Sequence, residues 1–277
     1  MLQEYIKEIK YLKLYIISIP VVIIASYSVY FFLDVAAIKD LTKEDHLFEN
    51  ATAVCFFIAS VFLFLFYKKN KNIFLLLLAL LLFFAFGEEI SWGQRIFNFD
   101  GPRFLWKTNV QQEFNIHNRE MFDHYNLDHT EKTGWHRLLE INFLLKTFCF
   151  LFGFLLPICT FHLKSISKIV LNLKLPVPPI AIGSFFIFSW LVYRFILTLI
   201  STGRDAEYYR SAGEIFEFLI SYVFAVISIY FYNKRKENIL GLDVKQYINK
   251  DFNFPYSKIR VNKVRNRFSL IANRFFS

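Results

Sequence analysis

Two adjacent carboxylates, Glu88 and Glu89, close a stretch from residue 72 to 87 that carries no charge. Desolvation at the edge of an apolar medium favours the neutral form of a carboxyl group, which lets it work as a general acid or base. Glu88 or Glu89 is therefore the first candidate for proton transfer. His117 is a second base or a ligand, and Arg95 or Arg194 would hold an anionic head group. Gln94, Asn118 and Glu217 complete the set of expected substrate-binding residues.

The placement of the remaining ionisable groups gives this set its force. Lys146, Arg194 and Glu217 interrupt otherwise apolar runs. All three fall near the ends that share a side with Glu88. Charges inside a bilayer are costly and usually face one another or a water-filled cavity. Their common level points to a polar pocket open to one side of a membrane, with Arg194 turned toward Glu217, Glu89 or Glu88. The plain alternative is that each charge snorkels to water on its own stem.

Other chemistry has weaker signals. If residues 110–125 are helical, Glu113, His117, Glu120 and His124 share one face, and Glu113, His117 and Glu120 form a minor candidate for a metal. One straight helix cannot converge those ligands, and a solvated face is the simpler reading. No H-E-x-x-H, no G-x-S-x-G around Ser91 and no Gly-rich phosphate loop occur. Cys55, Cys149 and Cys159 lie in apolar runs and read as small hydrophobic residues, not as a redox framework. Apart from that minor candidate the expected metal is none, and the sequence leaves any cofactor unknown.

The elements that must position these residues are membrane helices. Of 277 residues, 55% are hydrophobic and 36 are Phe, in blocks too long for the core of a soluble domain. A bilayer core needs roughly 20 apolar residues per helix. Six spans are expected, at about 14–33, 51–67, 72–90, 141–163, 180–200 and 215–232, giving an all-α polytopic bundle over residues 1–232. Between the third and fourth lies a long segment, 88–140, expected to carry interfacial helices. Trp92, Trp106 and Trp135 in it suit an aromatic belt. The third span is short, so it must run on into Glu88 and Glu89.

Charge sets the expected orientation. Segments on the side of the termini hold 20 Lys and Arg against 5 acids, and the opposite segments hold 10 against 17. The positive-inside rule then puts both termini in the cytoplasm. The net charge of +9 is mostly an insertion signal, which removes the main support for nucleic-acid binding. The tail, 233–277, alternates Val261, Val264, Phe268, Ile271 and Phe275 with Lys263, Arg265, Arg267 and Arg274. That pattern fits an amphipathic helix on anionic lipid of the inner leaflet, or equally one packed on the protein's own loops.

The string Gly87-Glu88-Glu89-Ile90-Ser91-Trp92-Gly93-Gln94-Arg95, followed by Asn109-Val110-Gln111-Gln112-Glu113-Phe114-Asn115-Ile116-His117-Asn118, resembles a bacterial family of uncharacterised multi-span membrane proteins. The resemblance extends from residue 44 to about 220. It implies an inner-membrane location and supplies no mechanism. Three function classes follow from the residues: an enzyme acting on a lipid or lipid-linked substrate at the outer leaflet, a transporter or proton-coupled carrier, or a structural component of a membrane assembly. A polar cluster near the interface leans toward the first, and six unrepeated spans lean away from the second.

Overall fold

The computed structural model describes residues 2–43, 45–102, 107–109, 113–123, 126, 130, 132–200 and 206–233. Among them all regular structure is helical, with one isolated bridge between Asn109 and Arg119. The helices are α1 (Leu2–Tyr27), α2 (Val29–Phe32), α3 (Val35–Thr42), α4 (Leu47–Asn70), α5 (Ile73–Glu89), α6 (Gln94–Phe97), α7 (Ile141–Cys149), α8 (Leu156–His162), α9 (Lys164–Leu173), α10 (Ile180–Ile200) and α11 (Ala206–Asn233). The expected tail helix lies outside the described residues.

Five stretches are long and apolar enough to cross a bilayer: Leu12–Phe32, Val35–Asn70, Ile141–His162, Ile180–Ile200 and Tyr208–Asn233. These are the helices of an integral membrane protein. Backbone groups in lipid have no water to bond, so only such internally paired segments persist there. The expected third span is α5, whose 17 residues reach about 25 Å at the helical rise. It does run on to Glu89, and it stops there because the chain turns left-handed at Ser91. The expected loop 34–50 also differs, since it contains α3. Asp34 caps that helix by accepting from the Ala37 N–H at 2.8 Å.

The bundle is organised around α11, whose apolar window is 67% buried, against 22–39% for the other four. Aromatic pairs fix it along α4: Phe48 with Phe218 (5.7 Å between centroids), Phe56 with Phe224 (6.4 Å) and Phe66 with Phe231 (6.3 Å). Edge and offset contacts of this kind add to the area each ring buries. Ser60 Oγ on α4 donates to the Ala79 carbonyl of α5 at 2.9 Å, tying the next antiparallel pair.

Between α7 and α8 the residues Phe150–Leu155 form a π turn. Pro157 has no N–H to give the Gly153 carbonyl and its ring crowds that oxygen, so the turn before it widens. Gly153 and Gly183 meet where this turn crosses α10, and a Cβ on Gly183 would overlap the Gly153 carbonyl.

Two sets of contacts establish which helix ends lie together. At one end Tyr27 approaches Ala212, Thr42 Oγ1 donates to Ser211 Oγ at 2.7 Å, and Asp45, Glu49, Glu89 and Ile96 line one cleft. At the other end Asn233 Nδ2 donates to the Tyr15 hydroxyl at 2.8 Å, and Asn72 Nδ2 donates to the Lys174 carbonyl at 2.5 Å. The segment after α5 sits at the first end.

Candidate functional site

The site begins where α5 ends. Ser91 (φ 47°), Trp92 (φ 52°) and Gly93 (φ 82°) are consecutive left-handed residues. For Ser and Trp that conformation costs about 1–2 kcal/mol each, so other contacts must hold it. Trp92 folds back over Gly87, where a Cβ would stand 2.9 Å from the indole. Its Nε1–H donates to Glu88 Oε1 at 2.7 Å. Glycine at 87 is thus required by the close approach of the ring, not by backbone angles.

Glu88 is 5% exposed and fully engaged. Beyond the indole, its Oε2 accepts the backbone N–H groups of Ile116 (2.6 Å) and His117 (2.8 Å). One carboxylate therefore docks the returning segment 113–123 onto the helix end, through bonds of the strong, charge-assisted kind. His117 Nδ1 lies 3.4 Å from the same oxygen, within ion-pair range but out of line for a hydrogen bond. The imidazole side chain is 28% exposed. With Nδ1 turned to Glu88, Nε2 is the nitrogen on the outer side of the ring.

A second carboxylate, Glu113, anchors the same segment from the other side. Its Oε2 accepts from Ser91 Oγ (2.8 Å) and Asn115 Nδ2 (2.6 Å), with Asn118 Nδ2 at 3.5 Å. Asn109 Nδ2 donates to Asn115 Oδ1 (2.7 Å), and Asn109 Oδ1 accepts the Glu113 N–H (3.2 Å). Gln94 Oε1 accepts the Phe114 N–H. Buried polar groups must be paired, and here each supports the next. The left-handed Ser91 is held by this knot.

Several expectations change. Residues 113–123 are turns and bends, not a helix, because the Asn109 side chain bonds the local backbone, donating to the Asn115 carbonyl and accepting the Glu113 N–H, in place of helical partners. The shared face of Glu113, His117 and Glu120 therefore does not form, and among the described residues no three His, Cys, Asp or Glu side chains converge as metal ligands do. Gln94 and Asn118 both point into the knot. Glu89 is half-buried in the cleft with Asp45, Glu49, Asn50 and Ile96, whose volume of about 40 Å³ suits water and not a head group. The Arg95 side chain, His124, Gln111 and Gln112 lie outside the described part.

Arg194 corrects the reading most. It is exposed on α10 and makes no ion pair with Glu217, Glu88 or Glu89. The opposite charges in electrostatic range of Glu217 are His117, Lys146 and Arg210, with Glu49 opposing them. Lys146 rather than Arg194 takes the inner position, its Nζ 5.6 Å from both the Tyr193 and Phe216 rings. Sequence reasoning also missed the Ser91–Glu113–Asn115 knot. The density of Asn and Gln between 109 and 118 was the available signal, since amides in such number bond their own loop.

Comparison with known proteins returns no match, whether to a family model, a curated protein or a solved structure. Fold and composition define the class, a polytopic helical membrane protein, and the site's chemistry must be read from its own geometry.

Proposed function

We propose that this chain is a multi-pass protein of the bacterial inner membrane with both termini in the cytoplasm, and that it acts as an enzyme on a lipid or lipid-linked substrate at the outer leaflet. The Glu88–His117 pair carries the reading. Glu88 Oε2 stands 3.4 Å from Nδ1, and closing that gap on substrate binding would orient the ring with Nε2 as the base, as in carboxylate–imidazole pairs. Glu88 is then the positioning group and His117 the base that takes a proton from the attacking nucleophile. The pair stands at the end of an apolar helix, the depth at which head-group chemistry is reached without carrying substrate to the midplane. The charge bias of the loops and the resemblance of the Gly87–Arg95 string support the orientation and the location.

The test is lipid turnover. Purified wild-type protein and His117→Gln, each in nanodiscs made from a total bacterial lipid extract, are incubated and followed by mass spectrometry. Wild type should convert one lipid class, and the variant should do so slower by about 10²–10⁴, the range for loss of a general base. A folded wild type that changes no lipid overturns the enzyme reading.

A further inference from the structure

The ten residues of α9, Lys164–Leu173, divide into three faces. At 3.6 residues per turn, side chains four apart share a line along a helix. Ser167 and Val170, each 1% exposed, form the packed face, where Ser167 Oγ donates to the Thr160 carbonyl of α8 and to the Leu163 carbonyl. Lys164 and Lys168 form a second line and are both exposed. Ile169 (49% exposed) and Leu173 (51%) form a third, roughly 140° round the helix from the lysines. In water the third line would be bare apolar surface, and in hydrocarbon the second would be two costly charges. A helix so divided suits the boundary between the two.

The connections put α9 at that boundary. It follows α8, which ends at His162, and leads through Pro176-Val177-Pro178-Pro179 into α10 at Ile180, so it stays at the end where both spanning segments stop. Asn72 Nδ2, donating to the Lys174 carbonyl at 2.5 Å, ties the end of α9 to the turn between α4 and α5. No Asp or Glu occurs in 50–87 or in 141–204. Among the described residues Lys164, Lys168 and Lys174 make no ion pair. The tail 233–277, with 11 Lys and Arg against 3 acids, is itself basic and is no counter-charge for them. Charge and apolarity together then select the occupant of this surface. We propose that α9 lies in the surface of the leaflet at the Asn72–Lys174 end, with Ile169 and Leu173 in the acyl boundary and Lys164, Lys168 and Lys174 among the head groups of anionic phospholipid. The attraction is to the negative charge of the surface as a whole. It is independent of His117 and of which side of the membrane this end faces.

The experiment is hydrogen exchange of the full chain in two nanodiscs, one of phosphatidylcholine alone and one of equal phosphatidylcholine and phosphatidylglycerol. Amides of 165–174 should exchange about tenfold more slowly with phosphatidylglycerol present, as the attraction of a few lysines to an anionic surface requires. High salt should shrink that difference. Lys164→Gln/Lys168→Gln should abolish it. Lys43→Gln/Lys107→Gln, which removes two exposed cations at the opposite end of the bundle, should keep it. Ile169→Ser/Leu173→Ser should speed exchange of α9 in both nanodiscs. Equal exchange of wild-type α9 in the two lipids overturns the proposal, and so does an equal loss of the difference in the Lys43/Lys107 variant. Protection in detergent that grows with protein concentration would give the face to a second copy and also overturns it. If the α9 variant elutes as aggregate, the wild-type comparison alone decides: slower exchange with phosphatidylglycerol supports the proposal and unchanged exchange rejects it.

Discussion

Replacing Glu88 by Gln removes a charge while keeping the shape, and the structure dictates where the effect appears. Three N–H donors converge on this side chain: Trp92 Nε1 at 2.7 Å, Ile116 N at 2.6 Å and His117 N at 2.8 Å. Bonds to a charged acceptor contribute about 1.5–3 kcal/mol each and neutral ones about 0.5–1.5. Neutralising the acceptor should therefore cost about 1 kcal/mol per bond, or about 3 in all. The amide must also turn its own NH2 toward at least one donor, which adds to the cost. Because the bonds join segment 113–123 to the end of α5 and not the bundle helices to one another, the loss should be local. Hydrogen exchange at the Ile116 and His117 amides reads the opening directly. Exchange in Glu88→Gln should rise roughly 100-fold, the equivalent of about 3 kcal/mol at 1.4 per decade, while α11 stays protected. Unchanged exchange at both amides would refute the docking role of Glu88.

Two further substitutions test the close approaches. Gly87→Ala places a methyl 2.9 Å from the Trp92 ring, so the indole should leave its seat and release Glu88. A red-shifted Trp92 emission, read by difference from Trp92→Phe, is the expected result. Gly183→Ala drives a Cβ into the Gly153 carbonyl, so α10 must separate from the π turn. Overpacking of that kind costs about 1–3 kcal/mol or more, and thermal unfolding in detergent should show a lower midpoint than wild type.

The long apolar runs and the passage of α5 into its two carboxylates were legible, because hydrophobic length is a local property. The details of the site were not, and the reasons are physical. Residues 110–125 carry a helical spacing of acids and histidines, but in the described part, 113–123, the Asn109 side chain offers the backbone better partners than a helix would. Glu88 and Glu113 were both visible as acids. Their roles were not, since each binds donors more than 20 residues away, such as Ile116 for Glu88 and Ser91 for Glu113. Arg194 illustrates the limit of depth arguments. Its position along α10 follows from the sequence, while its direction depends on helix rotation, which no count along the chain supplies.

The outer-leaflet chemistry proposed for Glu88 and His117 depends on one side of the membrane. Asn126 lies in the segment between α6 and α7, at the end of the bundle where Glu88 is docked. Labelling an Asn126→Cys variant in intact cells with a membrane-impermeant maleimide measures that side directly, with Asn70→Cys at the opposite end as the paired position. The orientation proposed here requires rapid labelling at 126 in intact cells and labelling at 70 only after lysis. Protection at 126 with labelling at 70 would contradict it.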